Sequence, residues 1–314
     1  MMDIKGHHHV SIYTKNAHDN IRFYRDILGL RFVKQTVHQD THDMYHLFYG
    51  DSTGSPGTEL TFFEMPYLGT RYHGTNAITS VGLLIEHEQS LHFWQTRFNE
   101  CQIPFESIRF IHQRLALPFE DPDGLKLYLI VKDQTEALPT FWKKWEKSPI
   151  PLQHQILGIG PVKFTVSNLN HTKDVLMNLL GYTEMFAGEQ LAVFQTEKGA
   201  AYSEIIVREM AGPKERPGRG TIHHLAIRVA NLDTLHQWDQ KIKAYGFQTT
   251  GVVNRYYFHS LYFTDENGIH YELATDGPGF LIDEAWDDLG SKLCLPPFIE
   301  HKRQHIESIL KPLS

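Results

Sequence analysis

Two imidazoles and one carboxylate on one face of a cup can hold a divalent iron and leave positions open for substrate and dioxygen. This chain of 314 residues and 20 histidines offers such a set. His9 lies two residues before Ser11 in the string HHVSI, and His224 holds the matching place in the string HHLAI. Glu272 follows the glycine of the turn DENG (265–268) by four residues, where a strand crossing the same cup would aim it inward beside both histidines. Side chains alternate between the faces of a strand, so the neighbours His8 and His223 should face away unless a bulge intervenes.

The elements that must position these residues repeat along the chain. The first unit opens with the strand HHHVSIYT (7–14) and a helical stretch from Asn16 carrying Ile21, Phe23, Tyr24, Ile27 and Leu28. It stops at Gly29 and continues as RFVKQTV, YHLFYGD and TELTFFEM. The second runs from TSVGLLIE (79–86) through a helix with Leu91, Phe93, Trp94 and Phe98 to RLALPFE and LKLYLIV, joined by the turn DPDG (121–124). The third begins at PVKFTVSN (161–168), passes a helix with Leu176 and Leu179, and continues as LAVFQTE and SEIIVRE. The fourth begins at TIHHLAIRVAN (221–231), has a helix with Leu235, Trp238 and Ile242, and ends in YYFHSLYF and IHYELAT.

Each unit reads β-α-β-β-β, about 50 to 60 residues and marginal alone, so the units must pair. The expected fold is α+β, with four modules forming two open barrels. Their expected bounds are 5–68, 76–133, 156–211 and 219–277, with a connector at 134–155 and a tail with a helix at 278–314. Ligands from the first and last modules meet only if module 1 pairs with module 4 and module 2 with module 3. The matching positions of the inner pair hold Ser80, Tyr128 and Lys163, which form no ligand set. His38 and His42 read as loop residues, and His46, on a strand, could reach the cavity. Glu59, Glu64 and Glu204 are misregistered rivals of Glu272, and the first module offers Thr61 or Phe62 at the matching place.

A net charge of -7 with scattered basic residues argues against a nucleic-acid partner. Cys101 and Cys294 are far apart and read as reduced thiols. Neither a signal-like stretch nor an apolar run of membrane length is present, so a cytoplasmic protein without membrane partners is expected, its oligomeric state open.

Four such units resemble the vicinal-oxygen-chelate fold of glyoxalases, drug-resistance proteins and extradiol ring-cleaving dioxygenases. The segments GHHHVSIYTKN, GLRFVKQTV, YHLFYGDSTGSPGTELTFF and LGSKLCLPPFIEHKRQHIE narrow this to ring-cleaving dioxygenases acting on hydroquinones, including methyl- and chloro-substituted ones. That resemblance implies Fe(II) on His9, His224 and Glu272, with Mn(II) accepting the same donors, and assigns catalytic support to His8, His223, Arg255 and Tyr262. It also implies that a hydroquinone oxygen loses its proton to a nearby base and coordinates the iron, and that O2 is built into the opened ring. The same fold leaves two rivals, a glyoxalase-type isomerase or thiol transferase and a metal-free drug-binding protein.

Overall fold

The structure is a computed structural model that describes residues 2–196 and 198–313. The order strand, helix, three strands recurs four times. The first group is β1 (His7–Thr14), β2 (Arg31–Val37), β3 (Tyr45–Gly50) and β4 (Glu59–Glu64), and the second is β5 (Ala77–Ile85), β6 (Arg109–Ile111), β7 (Arg114–Glu120) and β8 (Lys126–Val131). The third is β9 (Gly158–Val166), β10 (Thr183–Ala187), β11 (Leu191–Gln195) and β12 (Ile205–Glu209), and the fourth is β13 (Ile222–Val229), β14 (Thr249–Asn254), β15 (Phe258–Thr264) and β16 (His270–Pro278). Helices α1 (Ala17–Ile21), α2 (Glu88–Glu100), α3 (Leu169–Asp174) and α4 (Leu232–Tyr245) follow the first strand of each group, and α5 (Arg303–Ile309) closes the chain. Asn16 caps α1 by accepting from the backbone N–H groups of His18 and Asp19.

Two eight-stranded sheets result. One has the order β14-β15-β16-β13-β1-β4-β3-β2 and the other β10-β11-β12-β9-β5-β8-β7-β6. In the first, β1 and β13 run antiparallel at the centre, and each has the last strand of its own group parallel beside it. On β1 the residues Val10 and Ile12 point to the core while His9, Ser11 and Tyr13 line a cavity, so one strand builds both the packing and the site. The helices pack on the outer faces of both sheets, and one continuous core joins Val10, Tyr24 and Phe62 to Trp94, Phe119 and Phe164.

Strands β6, β10 and β14 lie where the residue pattern marks no strand. They are short edge strands with exposed or half-buried side chains, so no alternating apolar signal exists to reveal them.

The tail does two things. Ile299, Ile306 and Leu310 join the main core, while Phe280 and Leu289 pack against Val33, Phe48, Ala226 and Ala274 of the first sheet. Its anchor is Lys34 of β2, fully buried, whose ammonium pairs with Asp283 at 2.6 Å and with Glu284. Removing a partner from such a pair leaves buried charge uncompensated. Lys34→Met is therefore expected to lose about 3–5 kcal/mol of stability, read as a lower urea midpoint at unchanged slope; a loss under about 1 kcal/mol would contradict the anchoring role.

Candidate metal centre

His9 and His224 come from the central strands β1 and β13, and Glu272 from β16 beside them. The three are buried. Nε2 of His9 lies 3.1 Å and Nε2 of His224 2.8 Å from Glu272 Oε2, and the two nitrogens are 3.4 Å apart. Donor atoms held about 2 Å from one ion at right angles stand about 3 Å from one another, so the triangle has the size of a ligand face. Glu272 Oε1 accepts a hydrogen bond from Ser260 of β15, whereas Oε2 has no aligned donor among the described residues. Burial alone would raise this carboxyl's pKa, but the two imidazoles outweigh it and hold it well below the ordinary value.

The neighbouring histidines reach the ligand face because the central pair of strands is bulged twice. The β1–β13 register skips His8 between His7 and His9, and skips His223 between His224 and Ile222. Each bulge turns a side chain that alternation would send away back towards its neighbour. His8 Nδ1 then lies 3.0 Å from His9 Nδ1, and His223 Nδ1 lies 2.7 Å from His224 Nδ1.

The proton positions in the first of these pairs follow from its partners. His8 Nε2 lies 3.1 Å from the Thr275 carbonyl, which can only accept, so Nε2 carries the proton. Burial, then the nearby His9, pushes the His8 pKa down to about 3, so the ring is neutral and its Nδ1 has a lone pair. His9 Nδ1 must therefore donate, and His9 Nε2 is the ring nitrogen that faces the carboxylate oxygen 3.1 Å away. A buried carboxylate oxygen without an aligned donor calls for a cation, and two ring nitrogens converge on this one. The residues thus fit a divalent metal.

A cavity of about 390 Å³ opens from this face, walled mainly by aromatic side chains. His223, Arg255 and Tyr262 line it, as does His46. His8 does not; it stands behind His9, with Glu59 Oε1 3.9 Å from its Nδ1. The Arg255 guanidinium sits 5.5 Å from the Tyr262 ring centre and pairs with Asp40 at 3.0 Å. The Tyr262 ring lies 5.6 Å from that of His224 and stacks on His270, and burial, then Glu272, raises its pKa so that the hydroxyl stays protonated.

The rival carboxylates have other duties: Glu64 accepts from the Ala17 N–H at the start of α1, and Glu204 is held by Arg114 in the other sheet. Thr61, not Phe62, faces the cup. It pairs with Ser11 as Glu272 pairs with Ala226, two residues beyond each proposed ligand histidine, so Thr61 holds the place that mirrors Glu272. His38 does sit in a loop, yet it lines the cavity; His42 does not. Ser260 and His270 also belong to the site; each lies two residues before a residue that the sequence points to, Tyr262 and Glu272, and so on the same face of its strand.

The chain matches the glyoxalase/bleomycin resistance protein/dioxygenase superfamily over residues 6–129 and 158–273. It is 42% identical over 320 residues, 99% of this chain and 100% of the relative, to MhqA of Bacillus subtilis (strain 168), provisionally named a ring-cleaving dioxygenase. It is 26% identical to the chlorohydroquinone/hydroquinone 1,2-dioxygenase of Sphingobium indicum, covering 95% of this chain and 93% of that protein. The crystal structure of a provisionally assigned dioxygenase from Bacillus subtilis superposes with a TM-score of 0.91 at 28% identity, covering 99% of this chain and 98% of the other. Glyoxalase I from Zea mays superposes at a TM-score of 0.63 and 12% identity over 86% of this chain and 92% of the other, a likeness of fold alone. Matches of this extent, over a fold of paired β-α-β-β-β groups, place the chain in the glyoxalase/bleomycin resistance protein/dioxygenase superfamily.

Proposed function

We propose that the protein is a ring-cleaving dioxygenase that holds one Fe(II) on His9, His224 and Glu272 and opens a hydroquinone-type ring with O2. The observation that carries the metal reading is the buried triangle of His9 Nε2, His224 Nε2 and Glu272 Oε2, with sides of 3.1, 2.8 and 3.4 Å, around a carboxylate oxygen that has no aligned donor among the described residues. The names borne by its relatives support the reaction type. Mn(II) would accept the same nitrogen and oxygen donors.

A glyoxalase-type isomerase on this fold would call for a fourth protein ligand from the other module, and Thr61 stands at that place. Its hydroxyl is engaged with Ser11 at 2.8 Å and His46 at 3.1 Å. A three-residue face leaves coordination positions for substrate and gas, which favours oxygen chemistry.

A ferrous ion bound there supplies a Lewis acid for a phenolic oxygen and an electron source for O2. The surrounding side chains do the rest. His8 fixes the tautomer and ring plane of His9, and so acts through it as a positioning residue. His224 ligates through Nε2 and donates from Nδ1 to His223 Nδ1, which leaves His223 with a proton on Nε2 and makes it a hydrogen-bond donor towards substrate. Arg255 and the protonated Tyr262 bring positive charge and a further donor to the wall beside His224, where negative charge would grow on oxygen during ring attack. The aromatic walls exclude water from that charge.

Glu272→Ala and His224→Ala are expected to abolish both iron content and oxygen uptake with hydroquinones; full oxygen uptake in an iron-free Glu272→Ala protein would refute the assignment. Tyr262→Phe should keep iron at one per chain while lowering kcat by about 10²-fold or more, as loss of an oxyanion donor does. His8→Phe should instead weaken iron binding by about 10–100-fold, read by competition with a chelator, and unchanged iron affinity would remove its orienting role.

A further inference from the structure

One cavity wall is the loop of residues 38–44 between β2 and β3, from which His38, Gln39, Asp40 and Thr41 face the cavity. The loop is tied down. Gln39 donates to the Arg255 carbonyl at 2.7 Å, Asp40 accepts from the Arg255 side chain, and the His38 N–H bonds to the Met44 carbonyl at 3.1 Å.

His38 is the unspent group on this wall. The backbone N–H groups of Asp40 and Thr41 both point at its Nδ1, each at 3.3 Å, so Nδ1 accepts. Burial lowers the pKa of the ring, which favours its neutral form, so the proton sits on Nε2. Among the described residues no protein group bonds to Nε2. The loop therefore presents a fixed donor with nothing to receive it.

Strand register gives its displacement along the sheet from the row of Thr61, the residue that mirrors Glu272. Phe48 is opposite Thr61, His46 is opposite Phe63, and Thr36 is opposite His46. His38 follows Thr36 by two residues, so it lies four residues along from the row of Thr61, about 13 Å of strand. The intervening wall is aromatic, with the Phe63 ring centre 5.1 Å from that of His38.

We propose that His38 recognises the second hydroxyl of a 1,4-diol. With one oxygen at the metal face, the ring lies along the aromatic wall and the para oxygen extends towards the loop, where the His38 side chain reaches back along the wall to donate to it from Nε2. A 1,2-diol keeps both oxygens at the metal end and leaves this donor unpaired, which costs about tenfold in affinity. This selectivity rests on the ring-cleavage reading only for its substrate class.

The test is anaerobic calorimetric titration of the Fe(II)-loaded full chain with hydroquinone and with catechol, for the wild type, His38→Phe and His38→Gln. The expected result is wild-type preference for hydroquinone, a fall of about tenfold in that preference with phenylalanine, and recovery of most of it with glutamine, whose amide restores a donor. An equal change in both affinities, no change in either, or a wild type that binds neither diol overturns the proposal. If the wild type binds hydroquinone selectively through His38 but consumes no oxygen with it, recognition stands and ring cleavage falls.

Discussion

Two imidazoles converging on one buried carboxylate oxygen are the constraint around which the first sheet is organised. His9 turns Nε2 to Glu272 because its other ring nitrogen is engaged on the far side, with His8. His8 in turn is committed to the Thr275 carbonyl. A backbone acceptor on β16 thus decides, through two rings, which nitrogen of a residue on β1 is free to bind a cation. The bulge at His8 makes that chain of bonds reachable, and its counterpart at His223 does the same for His224. In a regular ladder neither neighbour would touch its ligand histidine.

The two halves of this sheet are near copies, and the departures from symmetry carry the chemistry. Thr61 stands where Glu272 stands in the other half, so the proposed ligand set has three protein donors. Ser260, paired with Ala274, orients Glu272, while the matching His46, paired with Phe63, reaches Thr61. Glu59 lies beside the buried His8, and its mirror His270 lies on the cavity beside His223. Among the described residues the second sheet has no such face: Ser80 stands opposite Lys163, and its buried carboxylate Glu204 is paired with Arg114.

Much of this was legible in the residues. Repetition of the strings HHVSI and HHLAI singles out His9 and His224, and the position of Glu272 after a turn adds the carboxylate that the structure brings beside them, because turn and strand periodicity are local properties. Three features were not. Edge strands β6, β10 and β14 have no buried alternation to betray them. The bulges depend on how two distant strands slide past each other, so alternation alone offered either a bulge or an indirect role for His8 and His223. His38 read as a loop residue, and it is one; its place on the cavity comes from bonds to Asp40 and Thr41 and from the tie to Arg255, which no spacing rule encodes.

Three side chains distant in sequence are proposed to share one ion, and anomalous diffraction at the iron edge, from crystals grown anaerobically with Fe(II), reads that sharing out. A single strong peak per chain is expected about 2 Å from His9 Nε2, His224 Nε2 and Glu272 Oε2. A peak bound elsewhere, or none at this triangle in metal-saturated protein, would contradict it.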